Sequence, residues 1–446
     1  MRHIPSVLTS LLYAVALGAC AGKSEPAPGA EAPAEPGAAP TAEAAPAGPK
    51  ADVGVDLATK TIRIGTLNDE SGPAATIGKP YAIGKRVLAA QVNAGGSGIL
   101  PEGWKIELVE KDHGYNPQKS VQAYNQIKDQ VLFIATSFGT PNTLPLRPML
   151  ERDKMIALPA SLSSEMAKHK YTIPGTTSYE VGAMRGMDHV VATAKDKAKI
   201  KAGIVYQQDD YGMDGLNGWK AAAVHHGVTL VSEQTIVPGQ KDFAAVITAL
   251  KAADATHVLL TVLPSATGPI LGTAAQLKYA PKWVGSTPTW IDAFFNPEVI
   301  PSKVFDNFEW ISVVPYWGEK VPGMDAFLAA YEKFGKDMGP PDFYILFSYV
   351  QGLYACEILS KAIAQNNVTR DGLMQAVQGV ANFTGGGLLQ PVSTNTFPYV
   401  TSTKARILKP DFAAKSWTVL ADYAAPESLA GAAAAAAPAA APDAPK

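Results

Sequence analysis

Two rhythms of apolar and polar positions take turns along most of the chain. Short apolar runs rich in β-branched residues predict strands at 61–67, 104–110, 131–135 and 155–158. Between them, apolar residues recur every three to four positions and predict helices. One covers 80–92 and stops at Asn93-Ala94-Gly95-Gly96. Another opens at Asn116-Pro117, where Asn caps the helix and the missing proline N–H costs nothing. After Tyr179 the rhythm repeats: helix 181–195 leads to strand 202–206, helix 215–226 to strand 228–237, and helix 242–252 to strand 257–262. Two later helices cover 322–336 and 342–365. Alternation at this spacing predicts parallel sheets with crossover helices, and two such series predict an α/β chain of two doubly wound lobes.

The ends read differently. Residues 21–55 are Ala, Pro, Gly and Glu without an aromatic side chain, too little apolar area to offset ordering, so a disordered tether is expected there. Residues 425–446 are also Ala- and Pro-rich and are expected to form a disordered tail. Ahead of the tether, Arg2 and His3 precede an apolar segment at 7–17, and small residues run up to Cys20, the pattern of an export signal over 1–19. No apolar run approaches the roughly 20 residues that cross a bilayer, so no transmembrane helix is expected.

Composition narrows the function classes. The formal net charge of −2, with 17% charged and 47% hydrophobic residues, fits a globular protein and gives no basic face for nucleic acid. Beyond Cys20 only Cys356 remains, in an apolar helical pattern, so no intramolecular disulfide is expected and Cys356 reads as core. There is no Gly-x-Ser-x-Gly elbow, no phosphate-binding Gly-Lys-Ser/Thr loop, no His-Glu-x-x-His and no paired-cysteine metal site. Without a nucleophile and a positioned base, an enzyme is disfavoured, and no cofactor or metal is implied.

In open parallel sheets, ligands sit beyond the carboxyl ends of the strands. The candidate loops are therefore 68–73, 136–140, 160–163, 209–212, 263–265 and 286–288, rich in hydroxyls and glycine. Such residues suit a small anion or carbonyl, and they are also ordinary loop and cap residues. Asp209 reads as the cap of the helix after it.

Several segments carry a resemblance. Ile62-Arg63-Ile64-Gly65-Thr66-Leu67, then Ser71-Gly72-Pro73 and Gly78, resembles the opening of the branched-chain amino acid binding proteins, the type I periplasmic solute receptors of ABC importers. Val92 to Gly96, Ile106 to Glu110, Asp112 with Asn116-Pro117, Ile204-Val205-Tyr206 with Asp210-Tyr211-Gly212, and Pro238-Gly239 with Asp242-Phe243 agree in order over about 60–423. Leu17-Gly18-Ala19-Cys20 resembles a lipoprotein signal-peptidase box.

The resemblance implies lobe one at 56–178 with 314–388 and lobe two at 179–313 with 389–424, joined by three crossovers. It implies a monomer, lipid-anchored through Cys20 in the periplasm or at the cell surface. Such a receptor closes on a small molecule and delivers it to a permease and its ATPase. The alternative is a same-fold lipoprotein serving a sensor or lipid-handling system. Its implied ligand-binding residues are Ile77, Ser137, Phe138, Gly139, Thr140, Ala160, Ser161, Leu162, Tyr211, Pro264, Thr287 and Trp290.

Departures from the family bear on the ligand. Gly139, next to Thr140, takes one carboxylate-binding position, and Leu162 stands where a threonine hydroxyl is usual. Ile77 and Leu263 or Pro264 stand where aromatic rings often line the pocket. Thr287 takes the place of the acid that holds an amino acid's ammonium, although Asp69, Glu70 or Asp209 could supply one. Tyr211 is retained. A zwitterion would leave its ammonium unpaired in a dry cleft, at several kcal/mol. The implied ligand is accordingly an aromatic or aliphatic carboxylate, or an amide, rather than leucine.

Overall fold

The computed structural model describes residues 48–430, in which the chain forms two large sheets with helices on both faces, besides one two-stranded pair. In the first sheet, Thr61–Asn68 pairs in parallel with Lys105–Asp112 on one side and Ile134–Phe138 on the other, and Ala157–Ala160 follows. Val55–Asp56 adds a short antiparallel edge. In the second sheet, Lys201–Gln207 lies between Thr229–Ile236 and His257–Thr261, followed by Lys282–Gly285 and Phe308–Ser312, all parallel. Two antiparallel strands, Ala405–Asp411 and Ser416–Ala424, complete it. The chain thus passes from the first sheet to the second after Ala160, leaves it after Ser312, and returns at Ala405.

The parallel strands are apolar along most of their length because helices cover both faces. Val131, Leu132, Phe133, Ile134 and Ala135 are all fully buried. Residues 131–133 already bond to the neighbouring strand (Leu132 N–H to Arg63 O, 2.9 Å), while the regular strand runs on to Phe138 and carries the polar Thr136 and Ser137 inward. The expected strand thus ended too early, because buried hydroxyls broke an apolar pattern that the backbone continues.

Helix Ala75–Asn93 packs along helix Phe343–Ala364. A Cβ on Gly84 would stand 2.1 Å from Ile345 O, so the two backbones meet at a contact only glycine allows. The first helix begins five residues before Pro80, which is accommodated inside it. Helix Phe343–Ala364 is long and apolar enough to cross a bilayer, a property the sequence reading did not register. Most of it is buried inside the protein. Cys356 lies on it, 1% exposed, and burial pushes its thiol up to about 12.

The cap readings agree with the structure: Asn116 Oδ1 accepts from Lys119 N at 3.0 Å and Asp209 Oδ1 from Gly212 N at 3.1 Å. The latter helix, Asp210–His226, begins a turn and a half before the expected start at Gly215, since the cap and not the apolar stripe sets its origin. Ordered structure also reaches past both expected edges. Lys50–Ala51 pairs with Asn367–Val368, and the buried Ser428 donates its N–H to Asp188 Oδ2 at 3.3 Å. The export signal, Cys20, the tether up to 47 and the tail from 431 lie outside the described residues.

Candidate functional site

A cleft opens where the carboxyl ends of the two sheets' strands face each other, with an envelope of about 770 Å³ that includes its solvent-open mouth. From the first sheet's side come Ile77, Phe138, Gly139, Thr140, Ala160 and Leu162. From the second come Tyr211, Leu263 and Thr287. Helix Phe343–Ala364 contributes Tyr344, Phe347, Gln351 and Tyr354, which share one face at helical spacing.

Local chemistry fixes these walls. After Phe138 the backbone turns through Gly139 at φ 85°, where a Cβ would meet Asn142 Nδ2 at 2.7 Å and the Tyr115 ring at 2.8 Å. The turn is stitched by Thr143 Oγ1 donating to Gly139 O (2.9 Å) and by the Ser137–Thr143 hydroxyl pair (2.8 Å). Thr140 Oγ1 and Ser161 Oγ pair at 2.6 Å across two strand ends. Tyr211, in the first turn after its Asp209 cap, donates to Val262 O at 3.1 Å and lies 2.8 Å from Ser286 Oγ, tying together three loops. Tyr344 sends its hydroxyl to Thr287 O (3.1 Å) and Trp290 O (3.0 Å), so the long helix grips the opposite half.

Eight of the twelve expected positions line the cleft: Ile77, Phe138, Gly139, Thr140, Ala160, Leu162, Tyr211 and Thr287. Ser137 and Ser161 stand just behind the wall, spending their hydroxyls on Thr143 and Thr140. Pro264 sits in the first turn of helix Pro264–Gln276, and its neighbour Leu263 forms the wall. Trp290 is a correction. It is fully buried, with ring centroids 4.6 Å from Trp417, 4.8 Å from Phe295 and 5.3 Å from Phe305, and belongs to the second sheet's aromatic core. A large ring close after a ligand loop finds more apolar surface behind the sheet than across the cleft. The sequence reading missed Tyr81, Tyr115, Tyr179 and the stripe on the long helix.

Among the described residues lining the cleft, none carries an ionisable acid or base other than tyrosine. Burial pushes the tyrosine hydroxyls up, Tyr81, Tyr115, Tyr211 and Tyr344 well above their ordinary value, so they stay neutral donors. The nearby acids are committed elsewhere. Asp69 accepts from Gly72 N (2.6 Å) and Ala74 N (2.8 Å), Glu70 pairs with Arg86 at 3.3 Å, and Asp209 caps its helix. Among the described residues the buried Tyr354 hydroxyl, on the same wall, is without a hydrogen-bond partner. An unmatched hydroxyl on an apolar wall is what a ligand's polar atom fits.

The chain is similar to several known proteins. The Leu/Ile/Val-binding protein homolog 3 of Brucella melitensis is 28% identical over 203 residues, 44% of this chain and 53% of that protein. The chain thus spans about half the length of the curated relatives it matches first. A fatty acid ABC transporter substrate-binding protein from Thermomonospora curvata superposes with a TM-score of 0.76 at 27% identity, covering 85% of this chain and 96% of that one. A solute-binding protein of an R. palustris ABC transporter, in complex with 4-hydroxybenzoate, gives 0.69 at 18% identity over 82% of this chain and 98% of its own. These likenesses fit the type I periplasmic binding fold expected from the sequence. The periplasmic binding protein family model matches residues 61–398, a span that contains every residue lining the cleft, and the chain belongs to that family.

Proposed function

We propose that this protein is an extracytoplasmic receptor, not an enzyme, that captures a small monocarboxylate with an aliphatic or aromatic body. Capture is by closure of lobe one (56–178 with 314–388) on lobe two (179–313 with 389–424). The loaded form is delivered to an ABC permease and its ATPase, and a lipid on Cys20 keeps the receptor at the membrane.

One observation carries the ligand class: rings and aliphatic side chains dominate the cleft wall, joined by Thr140, Thr176, Thr287 and Gln351, and among the described residues lining it there is no acid to hold an ammonium. An α-amino acid would bury an unpaired cation there at several kcal/mol. A carboxylate head seated against Gln351 leaves Tyr81, Phe138 and Phe347 to pack along its body. The fatty acid and 4-hydroxybenzoate of the two structural relatives are of this class and support the reading.

Thermal unfolding of the mature protein with octanoate, benzoate, their amides, leucine and valine tests it. A ligand at about a hundred times its Kd stabilises by ~2.7 kcal/mol, a shift of several degrees. Acids are expected to give that shift and leucine none. A shift with leucine or valine alone refutes the ligand class.

A further inference from the structure

Behind the cleft, helix Ala75–Asn93 carries Lys85, 2% exposed, in its crossing with helix Phe343–Ala364. Among the described residues its ammonium meets two neutral oxygens, Ser348 O and Gln351 Oε1, each at 3.3 Å, and no carboxylate. A buried charge without a counter-charge is costly and is seldom kept without a role. Burial holds its pKa down to about 7.

Gln351 joins this charge to the cleft. Its Oε1 faces Lys85 and also accepts from Thr136 Oγ1 at 3.5 Å, its Nε2 donates to Pro159 O at 2.9 Å, and the same side chain lines the cavity. Tyr81, one turn before Lys85 on the same helix, lines it too.

The other titratable groups around Lys85 leave it uncompensated. On the long helix, the thiol of Cys356 and the hydroxyl of Tyr349, which donates to Gln91 Oε1, are each pushed up to about 12 by burial. On its own helix Tyr81 is raised likewise, and Arg86 turns to Glu70 and Glu110. On helix Met324–Phe334, Glu332 pairs with Lys336 and the Tyr331 hydroxyl goes to Gly339 O. The strand side offers Thr136, Leu158 and Pro159, all neutral.

We propose that Lys85 is the charge-selecting residue of this receptor: the anionic head of a ligand seated against Gln351 is the counter-charge this buried ammonium lacks, so the cleft prefers an acid over the matching neutral amide. The inference rests on the monocarboxylate reading and adds to it a residue and a pH dependence. At a separation of about 7 Å, an anion favours a protonated lysine by roughly tenfold or more at an effective dielectric constant near 20. Binding then takes up protons at neutral pH, and by reciprocity the acid's affinity falls as pH rises through the range where the free protein loses the Lys85 proton.

The test is calorimetry of octanoate and octanamide binding to the full chain and to Lys85→Met, from about pH 6 to about pH 9, a range in which octanoate stays ionised. Buffers of different ionisation enthalpy count the protons taken up. For the wild type, the octanoate Kd is expected to rise about tenfold across the range with net proton uptake near neutrality, while the octanamide Kd stays flat. In Lys85→Met the octanoate Kd is expected to lie flat with pH, and octanoate to lose its preference over octanamide. As a measurement that needs no variant, the NMR titration of the Lys85 ε-methylene should move to higher pH when octanoate is added.

Octanoate binding with a flat Kd, no proton uptake and an unmoved Lys85 titration overturns the inference and leaves the monocarboxylate receptor standing. Binding of octanamide without octanoate overturns both.

Discussion

Replacing Lys85 with methionine should make the protein more stable below neutral pH, an unusual outcome for a fully buried helix residue. The side chain's pKa falls from its ordinary 10.5 to about 7 on folding. That gap places roughly 4–5 kcal/mol against the charged form in the native state. The unfolded chain binds the proton more tightly, so between about pH 7 and about pH 10.5 stability rises with pH. Below about 7 both states are charged and the full penalty stands. Methionine removes the penalty and fills the channel with a flexible apolar chain of similar length. Against this, Ser348 O and Gln351 Oε1 lose a donor, at about 1–3 kcal/mol together, because Gln351 keeps its contact to Thr136. The balance is a gain of about 1–4 kcal/mol at pH 6; the wild type recovers about 4 kcal/mol by pH 10, so there the variant is equal in stability or less stable by up to about 3 kcal/mol. Urea unfolding at both pH values reads it directly. A variant less stable than the wild type at pH 6, or an equal difference at both values, would refute the account of Lys85 as a buried, uncompensated cation.

Gly139→Ala forces a Cβ against the Asn142 amide and the Tyr115 ring at positive φ, so a loss of about 1–3 kcal/mol is expected, with octanoate binding weakened about tenfold as Tyr115 shifts. Denaturation and calorimetry check both, and unchanged binding would remove that turn from the site. Trp290→Ala should cost about 3–5 kcal/mol by emptying the aromatic core, with octanoate affinity within about twofold of wild type at temperatures where the variant is folded. Lost binding at full stability would return Trp290 to the cleft wall.

Much of the scaffold was legible because it rests on local signals that tertiary packing reinforces. Parallel strands covered on both faces read as short apolar runs, and Asn116 and Asp209 announced their helices through chemistry that acts within three residues. Errors fell where a long-range contact overrode the local one. Thr136 and Ser137 continue a strand that polarity suggested had ended, since Thr143 and Gln351 meet their hydroxyls inside the fold. Ala75 begins a helix that the apolar pattern placed from Pro80 onward. Lys50 and Ser428 are held by partners more than two hundred residues away, Asn366 O and Asp188, which no window of sequence contains.

The site divides along the same line. Wall residues that follow a strand were found, because a parallel sheet fixes where its carboxyl ends point: Gly139, Leu162, Tyr211 and Thr287 all come from such loops. The face borne by helix Phe343–Ala364 was not, and apolarity could not have revealed it. Tyr344, Phe347 and Tyr354 follow the same periodicity as the core residues beside them, since a cleft that takes an apolar body is built like a core with one neighbour missing. What separates wall from core on this helix is the polar exception. Ser348 is buried and supplies a backbone oxygen to Lys85, whereas Gln351 has both ends of its amide engaged and one side open to the cavity. A glutamine in the middle of an apolar helix, facing a lysine in the middle of another, is a pair that packing alone would select against. Its place at the cleft therefore argues for the ligand's charge.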